Sequence, residues 1–250
     1  VTLPASDTPP TLDPVAALRW AQQAPPASPW LHEEVARRMQ ERLQWIRQPP
    51  QAWAHWQPLH GGLAAHHLVV QRYPQASCYL VEPHTQPQRV AARQLQPRWW
   101  QRQRWWGPQP QWALPPAQGV DMVWANMGLH MQADPLALMV QWQHVLATDG
   151  FLMFSCLGPD SLRGLRALYA RLGWPTPAHA CTDMHDWGDM LVQAGFAQPV
   201  MDMERIVLGF ASAARLLQEL RGLGRNLHPA RFPALRTRAW RARLEQAIDR

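Results

Sequence analysis

His179, Cys181 and His185 stand in a His-x-Cys-x3-His spacing and carry the nitrogen and sulfur donors that zinc takes. A closed zinc site needs a fourth ligand, none lies near, and the spacing straddles an expected helix start, so no metal is assigned. Arg98-Trp99-Trp100-Gln101-Arg102-Gln103-Arg104-Trp105-Trp106 interleaves guanidinium groups with indole rings. That chemistry could neutralise phosphates and stack bases, but no nucleic-acid motif surrounds it, and a strand and loop of drifting composition is the better reading. His66-His67 fits a helix with one ring in solvent. Asp183, Asp186 and Asp189 share roughly one helical face and read as a solvated acidic edge.

Three polar side chains have stronger claims to a ligand. Ser155 closes an expected strand at the rim where open α/β sheets bind ligands, and it lacks the His-Asp partners of a nucleophile. It is therefore assigned to substrate contact. Arg221 and Arg225 can grip a carboxylate bidentately, or they can serve as the C-terminal charge that a helix macrodipole favours. No catalytic residue is assigned.

The elements that would hold these residues follow from periodicity. Val35, Met39, Leu43 and Ile46 form a helical stripe, which Pro49-Pro50 ends. Residues 52–57 and 78–81 read as strands, with a helix over 61–70 between them and another over 89–95. Residues 84–119, rich in Gln, Trp, Arg and Pro, otherwise give no secure assignment. Residues 120–126 and 151–155 read as strands flanking a helix over 136–146, with Thr148-Asp149-Gly150 turning one into the other. Helices follow over 161–172, from the cap Asp183 to 193, and from the cap Ser212 to about 221. Residues 200–203 and 206–210 look like a late hairpin. Strands alternating with helices imply a doubly wound parallel sheet.

The composition agrees with such a domain. The chain has 250 residues and is 47% hydrophobic, ordinary for a globular protein. It contains no run of about 18 apolar residues, so no membrane partner is expected, and a cytoplasmic setting is. Three scattered cysteines suit a reducing compartment. The formal charge is +6 and every basic side chain is Arg, so lysine Schiff-base chemistry is excluded.

Several stretches together resemble the malonyl-carrier-protein O-methyltransferases of biotin synthesis. They are Trp30-Leu31-His32-Glu33-Glu34-Val35-Ala36-Arg37-Arg38-Met39, residues 120–130, Gly158-Pro159-Asp160-Ser161-Leu162, Asp183-Met184-His185-Asp186-Trp187 and Leu217-Gln218-Glu219-Leu220-Arg221-Gly222-Leu223-Gly224. The opening helix is also similar, more distantly, to a mitochondrial family of complex I assembly factors. The resemblance covers most of 30–226 and is specific in the second half. It implies the class I methyltransferase fold: an α/β, mostly parallel, seven-stranded doubly wound sheet with an antiparallel last strand. Residues 1–29 would form a flexible arm, 30–226 the domain and 227–250 a basic tail.

The same resemblance implies S-adenosylmethionine as cofactor, held by Gly61, Gly62, Glu82 and the backbone around Asn126. It implies an acyl carrier protein or its malonyl thioester as partner, with Arg221, Arg225 and Ser155 toward the substrate. The chain departs from the family in the cofactor turn. An acidic residue and Gly-x-Gly-x-Gly are replaced by His55-Trp56-Gln57-Pro58-Leu59-His60-Gly61-Gly62, and the family's later adenine-binding Asp, whose position falls near Pro110, is absent. Losing two such anchors should weaken cofactor binding by roughly two to four decades. A non-catalytic module that keeps the fold and the carrier surface is the alternative.

Overall fold

The computed structural model describes residues 12–96 and 108–249, so the arginine–tryptophan stretch at 98–106 lies outside the described residues. Helices α1 (Pro14–Ala21) and α2 (Trp30–Arg42) precede strand β1 (Ala52–Trp56). One helical turn, α3 (Pro58–Gly61), leads into α4 (Leu63–Arg72) and strand β2 (Ser77–Val81). Helix α5 (Thr85–Leu95) is followed by β3 (Val120–Asn126), α6 (Pro135–Val145) and β4 (Leu146–Ser155). Four helices follow: α7 (Arg163–Arg171), α8 (Met184–Gln193), α9 (Ala213–Leu223) and α10 (Arg238–Ile248).

The four strands form one parallel sheet in the order β2-β1-β3-β4. Side chains alternate across it, as a period of two requires. Trp53, Met122 and Trp124 lie on the face covered by α2, α4 and α5, against Met39, Leu43, Val69 and Ala91. Ala54, Trp56, Val123 and Ala125 lie on the other, against Met139, Trp142, Trp187 and Leu191 of α6 and α8. Burial on both faces explains the near-continuous apolar character of β3. Asp134, Asp183 and Ser212 accept backbone N–H bonds at the starts of α6, α8 and α9, where short polar side chains satisfy otherwise unpaired donors.

Three features differ from the sequence reading. Four strands, all parallel, are present among the described residues in place of seven with an antiparallel last one. Residues 200–210, expected as a hairpin, form no strand, and Val200 and Val207 are 94% and 85% exposed. Strand propensity expresses itself only where a partner and a covered face exist. This stretch is held instead by charge, Asp202 lying 2.7 Å from Arg42 and Glu204 pairing with Arg38, both on α2. The helix expected over 61–70 begins two residues later, behind the extra turn α3.

The stretch 12–29, counted with the N-terminal arm, includes α1, whose Asp13 cap also pairs with Arg231 at 2.7 Å. Trp20 of α1 is buried with Leu12, Met131 and Leu227. Trp20 also packs against His60 in the turn after β1, and Met131 follows β3, so the cluster lies beside the C-terminal ends of those two strands.

Candidate functional site

The chain leaves β1 through Gln57, a non-glycine residue at φ 50°, whose N–H donates to Val81 O at 2.8 Å. Pro58 then fixes the backbone for the single turn α3, in which Leu59 is fully buried in the core. His60 packs under Trp20, ring centroids 5.5 Å apart. Ser28 ties the turn down, donating to Leu59 O at 2.7 Å and accepting from Leu63 N at 3.1 Å. Where the resemblance implies an open glycine turn, this chain has a packed and roofed one.

The two remaining glycines are held by protein contacts. A Cβ on Gly61 would lie 3.3 Å from Asn126 O and from His55 Nε2. A Cβ on Gly62, at φ 118°, would lie 2.7 Å from Glu33 Oε2. The Glu33 carboxylate of α2 accepts from Ala64 N and Ala65 N, each at 3.0 Å. It therefore takes the first free amides of α4, where the positive end of the helix dipole favours an anion. Sequence reasoning missed Glu33. Its signal was present only in retrospect, as a glycine pair kept at a helix start that had lost the rest of its motif.

Glu82, directly after β2, is the acidic side chain best suited to receive a ligand. Oε1 accepts from His84 N at 3.3 Å, while Oε2 is buried without a partner among the described residues. Burial pushes its carboxyl up to about 7, against the smaller opposing effect of the His84 amide. A hydroxyl donor brought to Oε2 would satisfy it.

Asn126 and Ser155, expected to face cofactor and substrate, are brought together but engaged with each other. Asn126 Nδ2 donates to His32 O at 2.8 Å and to Gly61 O, and its Oδ1 accepts from Ser155 Oγ at 2.6 Å. Ser155 Oγ in turn accepts from Met127 N at 3.2 Å. The pair staples β3, β4, α2 and the glycine turn. Arg225 donates to Arg221 O and Gly224 O and lies 5.6 Å over the Trp20 ring. It stands over the cluster beside the strand ends. Burial, with the nearby Arg221 charge second, lowers its pKa. Arg221 lines a surface hollow of about 480 Å3 with Arg215, Gln218 and Arg241.

A set of buried histidines surrounds the site. His32 Nδ1 donates to His60 O at 2.7 Å, His55 and His66 share a ring-nitrogen bond at 3.2 Å, and His179 Nε2 donates to His130 O at 3.1 Å. Burial holds all of them neutral: His32 and His60 fall to about 4, and His66 and His130 to about 3. His67 is exposed beside buried His66, as the helix reading required. His179, His185 and Cys181 do not converge. His179 Nδ1 accepts from Leu227 N, while exposed His185 bonds Asp183 at 2.8 Å.

No family model matches the chain. Several curated relatives match most of it, among them two malonyl-[acyl-carrier protein] O-methyltransferases. That of Gallionella capsiferriformans is 36% identical over 242 residues, covering 90% of this chain and 78% of its own. That of Laribacter hongkongensis is 36% identical over 231 residues, covering 88% and 76%. Among solved structures, the YcgJ protein from Bacillus subtilis superposes with a TM-score of 0.53 at 14% identity, over 86% of this chain and 82% of that one, a likeness of fold.

Proposed function

This chain belongs to the malonyl-[acyl-carrier protein] O-methyltransferase family, and we propose that it carries that family's reaction: methyl transfer from S-adenosylmethionine to the carboxylate of a malonyl group on acyl-carrier protein, a step of biotin synthesis. The observation that carries the reading, beyond kinship, is Glu82 Oε2 at the end of β2, buried and without a partner among the described residues. A carboxylate there suits a ribose diol. At this end the residues fit the cofactor. At the other end they leave it little room, because Leu59 fills the turn and Glu33 occupies the α4 amides.

S-adenosylmethionine, when bound, supplies an activated methyl on a sulfonium. The chain's own task is then positional. A malonyl carboxylate is ionised at neutral pH and needs no general base, so alignment supplies most of the acceleration. Arg225, held over Trp20, and Arg221 one helical turn earlier are the cations we assign to that carboxylate. Asn126 and Ser155 act by fixing the ends of β3 and β4.

One observation favours a second reading, a non-catalytic module with the same frame: the anion position at α4 is filled by Glu33 from within the chain. Titration calorimetry with S-adenosylhomocysteine, paired with transfer of labelled methyl to malonyl-carrier protein, separates the two. Saturable binding with transfer is the expected result. No heat at millimolar ligand and no labelled product would leave the non-catalytic reading.

A further inference from the structure

The chain's formal charge of +6 is concentrated in one place. Residues 212–250 hold nine arginines against Glu219, Glu245 and Asp249, which accounts for the whole excess, and the preceding 211 residues are neutral on balance. The described part of this segment forms α9 and α10, which pack with α7 around Leu168, Tyr169, Leu217, Leu244 and Trp240. Of its arginines, Arg215 and Arg241 pair with Glu219 and Glu245, and Arg231 with Asp13. Arg221, Arg225, Arg236, Arg238 and Arg243 have no ion-pair partner among the described residues.

The surface has a shape as well as a sign. The hollow of about 480 Å3 is lined by Ser212, Arg215, Leu217, Gln218, Arg221 and Arg241, so three arginines and a leucine border it. A chain of side-chain contacts links it to the site. Arg221 lies on its wall, Arg225 has no ion-pair partner among the described residues and donates to Arg221 O, and Arg225 lies over Trp20, which covers His60 in the turn after β1. An acidic partner seated here would deliver a tethered group to the cluster beside the strand ends.

We infer that the α9–α10 face is the docking surface for the acidic face of the carrier protein, with carboxylates of the partner sharing the exposed guanidinium groups of Arg215 and Arg241 with Glu219 and Glu245 at the rim of the hollow. The inference rests on the reading above for the identity of the partner. Nucleic acid fits less well, because the aromatic faces that would stack bases are already covered. Arg236 lies 3.6 Å from the Phe232 centroid and 4.6 Å from that of Trp240, and Arg243 lies 5.6 Å from that of Trp174. Opposite charge across such a face acts chiefly on encounter and orientation and weakens with salt.

The test uses the full chain with two acceptors, malonyl-carrier protein and malonyl-pantetheine, which lacks the protein. The variant is Arg215→Glu with Arg241→Glu, and the control is Arg89→Glu with Arg93→Glu, an equal charge change on α5. The KM for malonyl-carrier protein should rise at least tenfold in the first variant and less than twofold in the control, with malonyl-pantetheine turnover unchanged in both. Direct binding of the carrier protein, read by fluorescence anisotropy at two salt concentrations, should show the same loss and needs no methyl transfer. If malonyl-pantetheine is methylated but carrier affinity ignores the first variant, the surface is wrong and the enzyme reading stands. Equal loss in the control, or equal competition by duplex DNA or anionic vesicles, also overturns the surface. Loss of carrier binding in the first variant alone, without methyl transfer by any form, supports the surface and removes the enzyme reading.

Discussion

Replacing Glu82 with Gln should change stability and ligand binding in a pH-dependent way that only a buried, ligand-facing carboxylate produces. Burial raises the Glu82 carboxyl from 4.5 to about 7 in the folded chain. The folded state thus holds its proton to higher pH than the unfolded chain does. Its stabilising contribution is complete below about pH 4.5 and is lost as pH rises through about 7. A shift of this size corresponds to about 2–3 kcal/mol once the side chain's partial exposure is allowed for. For a chain of this length that is roughly 4–12 °C in Tm. Glu82→Gln stays neutral, so it should gain that amount on the parent between about pH 5 and pH 8. Comparing the two proteins cancels the histidine titrations they share. Ribose hydroxyls donate to the ionised carboxylate, so S-adenosylhomocysteine should bind the parent about tenfold more tightly at pH 8 than at pH 6, where only roughly a tenth of Glu82 is ionised. Glu82→Gln should bind weakly and almost independently of pH. Calorimetry and thermal melts at the two pH values read both effects. A parent affinity flat across that range, or a variant that binds as the parent does, would refute the placement of Glu82 at the ribose.

Two further outcomes follow from the packed turn and the histidines. Gly62→Ala places a Cβ 2.7 Å from Glu33 Oε2 at a φ of 118°, so urea melts should show a loss of about 1–3 kcal/mol. In Glu33→Ala the clash is absent and the same substitution should cost about 1 kcal/mol less, whereas strict additivity would separate Gly62 from Glu33. The buried histidines have folded pKa values depressed below 6.5, so their contribution is intact above that pH and is lost as pH falls through about 4 to 3. Far-UV circular dichroism should show cooperative acid unfolding between about pH 5 and pH 3, with uptake of several protons, and a chain still folded at pH 3 would contradict neutral burial.

The frame of this molecule was readable because each parallel strand and its covering helix carry a local period: Met122 and Trp124 against Val123 and Ala125, and Asp183 as a cap before α8. Residues 200–210 carried an equally good strand pattern, yet it was realised as an exposed segment tied to α2 by Asp202 and Glu204. Period shows which faces a segment could bury, and pairing across the fold decides whether it does. The site was only half legible for the same reason. Glu82 could be placed by its distance from the turn, because a strand end is a local fact. The roles of Asn126, Ser155 and Gly62 depended on His32 and Glu33, which arrive from a helix about 30 residues or more away in sequence. That dependence also accounts for the loss of the glycine motif without collapse of the turn. Once Glu33 satisfies the α4 amides, Leu59 fills the core and Ser28 holds the backbone, the turn is stable without a ligand's phosphate or carboxylate to order it. If the donor enters at this turn, a turn stabilised from within must first be loosened, and on the proposed placement donor affinity would depend on the interactions of Glu33 and Trp20 as much as on those of Glu82.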